Sequence, residues 1–339
     1  MNEALKSATA RGSWILRGAG VLIAGYLLGV LALMWWWDYE PAHFDVAANA
    51  QSLAAAKHQP VVVGSVTTSA LMTCAQILLD KRGGYLSNDR FPPGVLMDNV
   101  PTWEFGVLTA TRDLARTLRN DWSRSQTQSV EDKDLQEAEP LFSSPNDRWL
   151  LPSSESQYRK AIAHVDGYLT RLADNDATNA QFYARADNLA DYLQIVSTRL
   201  GSLSQRLSAA AGQVRIDTDL AGDRNAQQST PATSPRMVQT PWTKVDDNFY
   251  EARGYTWALR EQLEAVLVDF GPVLHNKNAL ASLEQVIREL EESQKPLGSP
   301  IVLNGAPFGF FANHSLVMAN YISRANAAII DLRELLKRG

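Results

Sequence analysis

The 339-residue sequence predicts an all-α protein: a single N-terminal transmembrane helix followed by an elongated multi-helix bundle with long coiled-coil-like helices. Three observations predict it. Residues 18–37 carry no charge, and about 20 apolar residues suffice, as a helix, to cross a hydrocarbon core about 30 Å thick. Beyond them, apolar residues recur three and four apart, the period of a helix with one buried face. Strand-like runs are nearly absent; Val61-Val62-Val63 and Ile301-Val302-Leu303 are the short exceptions.

The first element is the anchor, residues 14–37, closed by Trp35, Trp36 and Trp37. Lys6, Arg11 and Arg17 lie before or just inside it, and Asp38, Glu40 and Asp45 follow. Basic flanks stay cytoplasmic, so the tail 1–13 is placed inside and residues 38–339 outside, in the periplasm. Indole rings suit the outer interface. The competing reading is a cleaved signal peptide. That requires an apolar core of about 7–15 residues and a nearby small-residue cleavage site; here the core is longer and bulky acidic sequence follows. Gly25 and Gly29 form a GxxxG pair that would let two such helices approach and form a homodimer. Glycine is also common in membrane helices without pairing them.

The exterior elements follow in order. Residues 71–79 end one helix. Residues 83–101, rich in Gly and Pro, lead to a helix lined by Trp103, Val107, Ala110, Leu114 and Leu118. A polar connection spans 123–152. Pro152 and a Ser154/Gln157 capping box then open a helix lined by Tyr158, Ile162, Val165, Leu169 and Leu172. The clearest stripe runs over 179–211, from Phe182 through Leu189, Val196 and Leu203 to Ala210. It is an a/d seam of more than four heptads, predicting a helix about 50 Å long. Residues 212–241 are Ala-, Ser-, Thr-, Pro- and Gln-rich and read as a flexible loop. A helix lined by Val245, Phe249, Leu259, Leu263, Val266 and Phe270 stops at Gly271-Pro272. Leu280 to Leu290 continue beyond it, and Met318 to Leu336 line the C-terminal helix. Six or seven helices in all build the bundle.

Composition narrows the function classes. Residues 1–37 hold three Lys/Arg and one acid, so the exterior part carries 29 bases against 36 acids, a net −7. That disfavours nucleic acid as a partner. The single Cys74, among Leu71, Ile77 and Leu78, forms no intramolecular disulfide and reads as a buried small hydrophobe. The five histidines are scattered; no local metal motif, P-loop or dinucleotide fingerprint appears, so no metal and no cofactor is expected.

Two stretches are candidate sites for a ligand or partner. Asp98, Asn99 and Glu104 bring two carboxylates and an amide beside Trp103 in a Pro/Gly-rich turn. The structural alternative is that Asn99 or Thr102 caps the helix beginning near Trp103. Residues 296–323 carry no charge, but their prolines and asparagines argue against a second span. Either this stretch packs on the bundle, or Phe308, Phe310 and Phe311 enter the membrane interface or contact a partner.

Residues 83–106, GGYLSNDRFPPGVLMDNVPTWEFG, and 149–160, WLLPSSESQYRK, resemble a family of uncharacterised proteobacterial inner-membrane proteins, domain of unknown function 2333. The layout of short tail, one span and helical exterior domain is similar too. The resemblance implies residence in the inner membrane of a Gram-negative bacterium and carries no activity or site residue. Glu155-Ser156 is similar to the Glu-Ser pair of lytic transglycosylases, but the downstream Gly-Leu-Met-Gln element is missing. A first-turn Glu is also what a helix dipole favours, so no catalytic residue is assigned. The sequence therefore favours a membrane-tethered periplasmic protein that binds or scaffolds an envelope protein partner. The alternative is a cell-wall-active enzyme or ligand-binding module.

Overall fold

Helix α1 (Asn2–Trp37) runs unbroken through the apolar stretch, and its segment Leu16–Trp37 is long and apolar enough to cross a membrane. That segment stands almost wholly exposed, projecting from the rest of the chain. The computed structural model describes residues 2–126, 129–174, 176, 178–215 and 236–338. Among these the chain is all-α, with eleven α-helices and one two-stranded ribbon.

After α1 come α2 (Val46–Ala56), α3 (Ser65–Asp80), α4 (Asn99–Thr117), α5 (Lys133–Phe142), α6 (Ser154–Leu172) and α7 (Ala186–Ser208). Then follow α8 (Val245–Asp269), α9 (Gly271–Asn276), α10 (Leu280–Ser293) and α11 (His314–Lys337). Polar caps set several starts by satisfying the first free N–H groups. Asp45 accepts from Ala47 and Ala48 N at 2.9 Å, Ser153 from Ser156 N, and Asn313 from Leu316 N. Gly64, before α3, has φ +92°, and a β-carbon there would lie 2.3 Å from the Phe182 ring. Glycine meets both demands.

Three expectations are corrected. The stripe at 179–211 yields α7 of 23 residues, about 35 Å rather than 50 Å. Residues before Ala186 are extended: Tyr183 N donates to Trp122 O at 2.6 Å, and Phe182 packs edge-on against Trp122 and Phe270 instead of continuing the seam. The polar connection 123–152 contains α5, capped by Asp132 and buried through Leu135, Ala138 and Phe142. Ser153 caps α6, whereas Ser154 is buried and donates to Pro145 O. Gly271-Pro272 does stop α8, which ends at Asp269, and the same pair opens the short α9. The flexible-loop reading at 212–241 falls largely on residues outside those described. Its two ends pair as antiparallel strands, Gln213–Arg215 with Arg236–Val238.

The core is built on α4 and α8, which run parallel. Trp103 meets Trp257 near one end (ring centroids 5.3 Å apart) and Trp122 meets Phe270 near the other (4.8 Å). Helices α7 and α11 are antiparallel, Ser204 meeting Ser323 at one end and Arg333 reaching Ala190 O at the other. Cys74 is free and fully buried. The connections sort into two ends. The end remote from α1 is closed by the Trp122, Phe182, Tyr192 and Phe270 rings. The other, hereafter the anchor end, carries the C-terminus of α1.

Charge also ties α5 to α6. Arg171 donates to Asp134 at 2.6 and 3.0 Å and to Asp132 at 2.8 Å, and His164 Nδ1 lies 3.3 Å from Asp134. Burial would raise the Asp134 carboxyl, but Arg171 and His164 hold it below its ordinary value. A depressed carboxyl stabilises the fold above its unfolded pKa and loses that contribution as pH falls through the folded one. Asp134→Asn is expected to cost about 1–2 kcal/mol at pH 7. The gap from wild type should close below pH 4, read by unfolding curves across pH. An equal gap at every pH would contradict it.

Candidate binding cleft at the anchor end

A cleft of about 400 Å³ opens where α1 joins the bundle. Its walls are the strap 38–43, the first turn of α4, the α8 face bearing Tyr250, Arg253 and Trp257, and residues 294–297. The strap is pinned from both sides. Trp257 Nε1 donates to Pro41 O at 3.0 Å. Arg253, nine-tenths buried, donates from Nε to Glu40 at 2.6 Å and from its other nitrogens to the Gln294 and Lys295 carbonyls at 2.9 Å. One guanidinium thus joins the strap, α8 and the segment after α10, a use that suits the planar fork of arginine.

His43 closes the strap. Its ring stacks on Trp257 at 6.0 Å and 20°, and Nδ1 lies 2.5 Å from Oε1 of the fully buried Glu261. Arg260 also donates to that oxygen at 3.0 Å. A buried carboxylate that fixes one ring nitrogen orients the imidazole and leaves the other nitrogen available.

Two residues lining the cleft hold polar atoms without a partner: the indole Nε1 of Trp103 and Oδ1 of Asn99. Unpaired buried donors and acceptors are rare in native proteins, and these two are of opposite kind. At the mouth, burial first, then the Glu40 and Asp98 charges, push the Asp38 carboxyl above its ordinary value.

The four clustered candidates separate. Asn99 and Trp103 line the cleft. Asp98 caps α4, accepting from Asn99 N at 2.9 Å, so the helix starts at Asn99 rather than near Trp103. Asp98 and Asn99 also line an adjoining recess with Met34 and Trp35 of α1. Glu104 turns away. It is fully buried, pairs with Lys81 at 2.6 Å, and accepts from Leu86 N, Ser87 N and Ser87 Oγ. Burial pushes its carboxyl up against the pull of Lys81. Phe308, Phe310 and Phe311 are exposed on the 304–313 loop. Gly25 and Gly29 face open space on α1. Glu155 accepts from Asn88 Nδ2 at 2.7 Å in the first turn of α6. No group of His, Cys, Asp and Glu fit to hold a metal occurs among the described residues.

Sequence reasoning missed Glu40, His43, Arg253, Trp257 and Glu261. Their pairings span more than 200 residues and leave no local spacing. Arg253 gave no signal either: it stands at the edge of the Val245–Phe249–Leu259 stripe, where a charge is ordinary.

These features define a class: an all-α helical bundle joined to one apolar helix of membrane-crossing length, with a cleft at the junction. The chain belongs to the DUF2333 family, described as uncharacterized protein conserved in bacteria, whose model matches residues 8–339. No curated protein and no solved structure matches the chain.

Proposed function

We propose that the protein is a single-pass, membrane-tethered binding component of the bacterial envelope, its tail cytoplasmic and its bundle periplasmic. The cleft beneath the strap is its ligand site. The observation that carries the reading is that two residues of the cleft lining leave a donor, Trp103 Nε1, and an acceptor, Asn99 Oδ1, without partners beside aromatic walls. A hydroxyl-rich ring answers both: its hydroxyls donate and accept, and its apolar face lies against indoles. Glycan of the cell wall fits that chemistry and that compartment.

The test is calorimetric titration of the full chain in lipid nanodiscs with an N-acetylglucosamine tetrasaccharide. Binding is expected, weakened about tenfold by Asn99→Ala, the order of one lost hydrogen bond to a buried group. Phe310→Ser, outside the cleft, should bind as wild type does. Absence of heat with wild type defeats the glycan reading. A catalytic reading has one observation in its favour, the Glu261-oriented imidazole of His43. Among the described residues no hydroxyl or thiol is hydrogen-bonded to that ring, so binding is the better-supported function.

A further inference from the structure

The exposed aromatic side chains are unevenly distributed. Outside α1, the exposed Phe and Trp residues among those described are Phe91, Trp149, Trp242, Phe308, Phe310 and Phe311. All six belong to the anchor end. Phe91 packs edge-on against Trp149, and the turn just after it places Leu96 and Met97 in one recess with Met34 and Trp35 of α1. Trp149 precedes α6, whose second turn meets the end of α3 through Arg159 and Asp80. Arg82, just past α3, stacks on the Trp36 and Tyr39 rings. Trp242 precedes α8 and is two residues from Lys244, whose ammonium feels the charge of Asp98 at the start of α4. The Phe308–Phe311 loop is tied by Asn304 to Ala210 O, beside the ribbon and the start of α8.

The remote end differs in kind. Its exposed large apolar residues, such as Val61, Val130, Val268, Leu280 and Ile330, are all aliphatic. Scattered aliphatics are ordinary on a protein surface. Six exposed aromatics confined to one end are not, and they mark a contact. Phe308 and Phe310 are essentially fully exposed, so the protein itself gives them no cover.

We propose that the anchor end is a second membrane contact: these aromatic side chains insert into the headgroup layer of the bilayer that α1 crosses. The proposal rests on the anchor reading above. Continuity with the anchor identifies the occupant. The 92–98 turn lies against the last turn of α1, so a bilayer that receives Trp35 and Trp36 also meets Leu96. Trp and other amphipathic aromatics favour that depth, where ring and headgroup meet. The cleft then opens beside the membrane surface, and the bundle cannot swing freely on its anchor.

Spin-label accessibility tests the proposal with the full chain in proteoliposomes of phosphatidylethanolamine and phosphatidylglycerol. Nitroxides are placed singly at Phe310→Cys, at Trp242→Cys and at Leu151→Cys, an exposed position two residues from Trp149. Val130→Cys serves as remote control and Leu22→Cys as a control inside α1; Cys74, fully buried, stays. The ratio of collisions with oxygen to collisions with a water-soluble nickel chelate is expected to fall between those of Leu22 and Val130 at all three sites. Ratios equal to that of Val130, with Leu22 immersed, overturn the second contact and leave the anchor intact. If Leu22 itself reads as aqueous, the anchor reading fails and takes this one with it. Dipolar broadening at Phe310 that vanishes on dilution with unlabelled chain, with no gain in oxygen, assigns the patch to a second copy and also overturns it.

Discussion

Gly254→Ala is expected to lower the stability of the bundle by about 3 kcal/mol or more, at the upper edge of overpacking costs. Helices α4 and α8 meet through glycine on both sides. A β-carbon at Gly254 would stand 2.0 Å from the Trp103 carbonyl oxygen, and one at Gly106 would stand 2.2 Å from that of Glu251. The obstructing atoms are backbone, so no side-chain rotation relieves them and the helices themselves must separate. Separation would also part Trp103 from Trp257 and open the floor of the cleft. Gly201→Ala is the internal control. It too lies in a helix, but the nearest atom to a new β-carbon is Asn326 Nδ2 at 3.8 Å. Alanine there should stabilise by up to about 1 kcal/mol through helix propensity. Chemical unfolding midpoints of the three proteins read the contrast; equal midpoints for wild type and Gly254→Ala would refute the close crossing.

Lys81→Met is expected to cost about 3–5 kcal/mol, the range for stripping one partner from a buried pair. The Lys81 and Glu104 side chains are 2 % and 0 % exposed and 2.6 Å apart. The variant leaves Glu104 charged in an apolar surround, facing only the Leu86 and Ser87 donors. The sign with pH follows from the direction of the Glu104 shift, which burial raises. A carboxyl whose folded pKa lies above its unfolded value favours folding in its protonated form. The penalty is therefore absent below the unfolded pKa and grows as pH rises toward the folded one. Without Lys81 the carboxyl should rise further, so Lys81→Met should recover stability as the medium is acidified. A loss independent of pH would show that Glu104 is not the group left stranded.

The all-α class was legible because helical periodicity survives in single segments: the stripes of α4, α6, α8, α10 and α11 each lie in one stretch of sequence. The errors have local physical causes. Phe182 keeps heptad spacing with the α7 seam, yet its ring is drawn off to fill the space over Gly64, so periodicity alone overran the helix start. Helix α5 buries only Leu135, Ala138 and Phe142 within a charged segment, too thin a stripe to stand out. Of the cleft, Asn99 and Trp103 were visible because they sit in one distinctive turn. His43, Arg253 and Trp257 were not, because nothing in a chain announces which residues 200 positions apart will meet. Glu104 shows the converse: a carboxylate beside aromatics resembles a site in sequence, and its burial with Lys81 turns it into a fastening for the 81–88 loop.

The proposed topology has the bundle outside the cytoplasm, held at the membrane by α1. The most direct measurement is labelling of Val130→Cys, an exposed position on the remote end, with a membrane-impermeant maleimide in intact bacteria expressing the full chain. Cys74 is buried, so the wild-type chain supplies the background. Labelling of Val130→Cys in intact cells, to the same extent as after lysis and with the protein in the membrane fraction, is the predicted result. Labelling that appears only after the inner membrane is broken would contradict it.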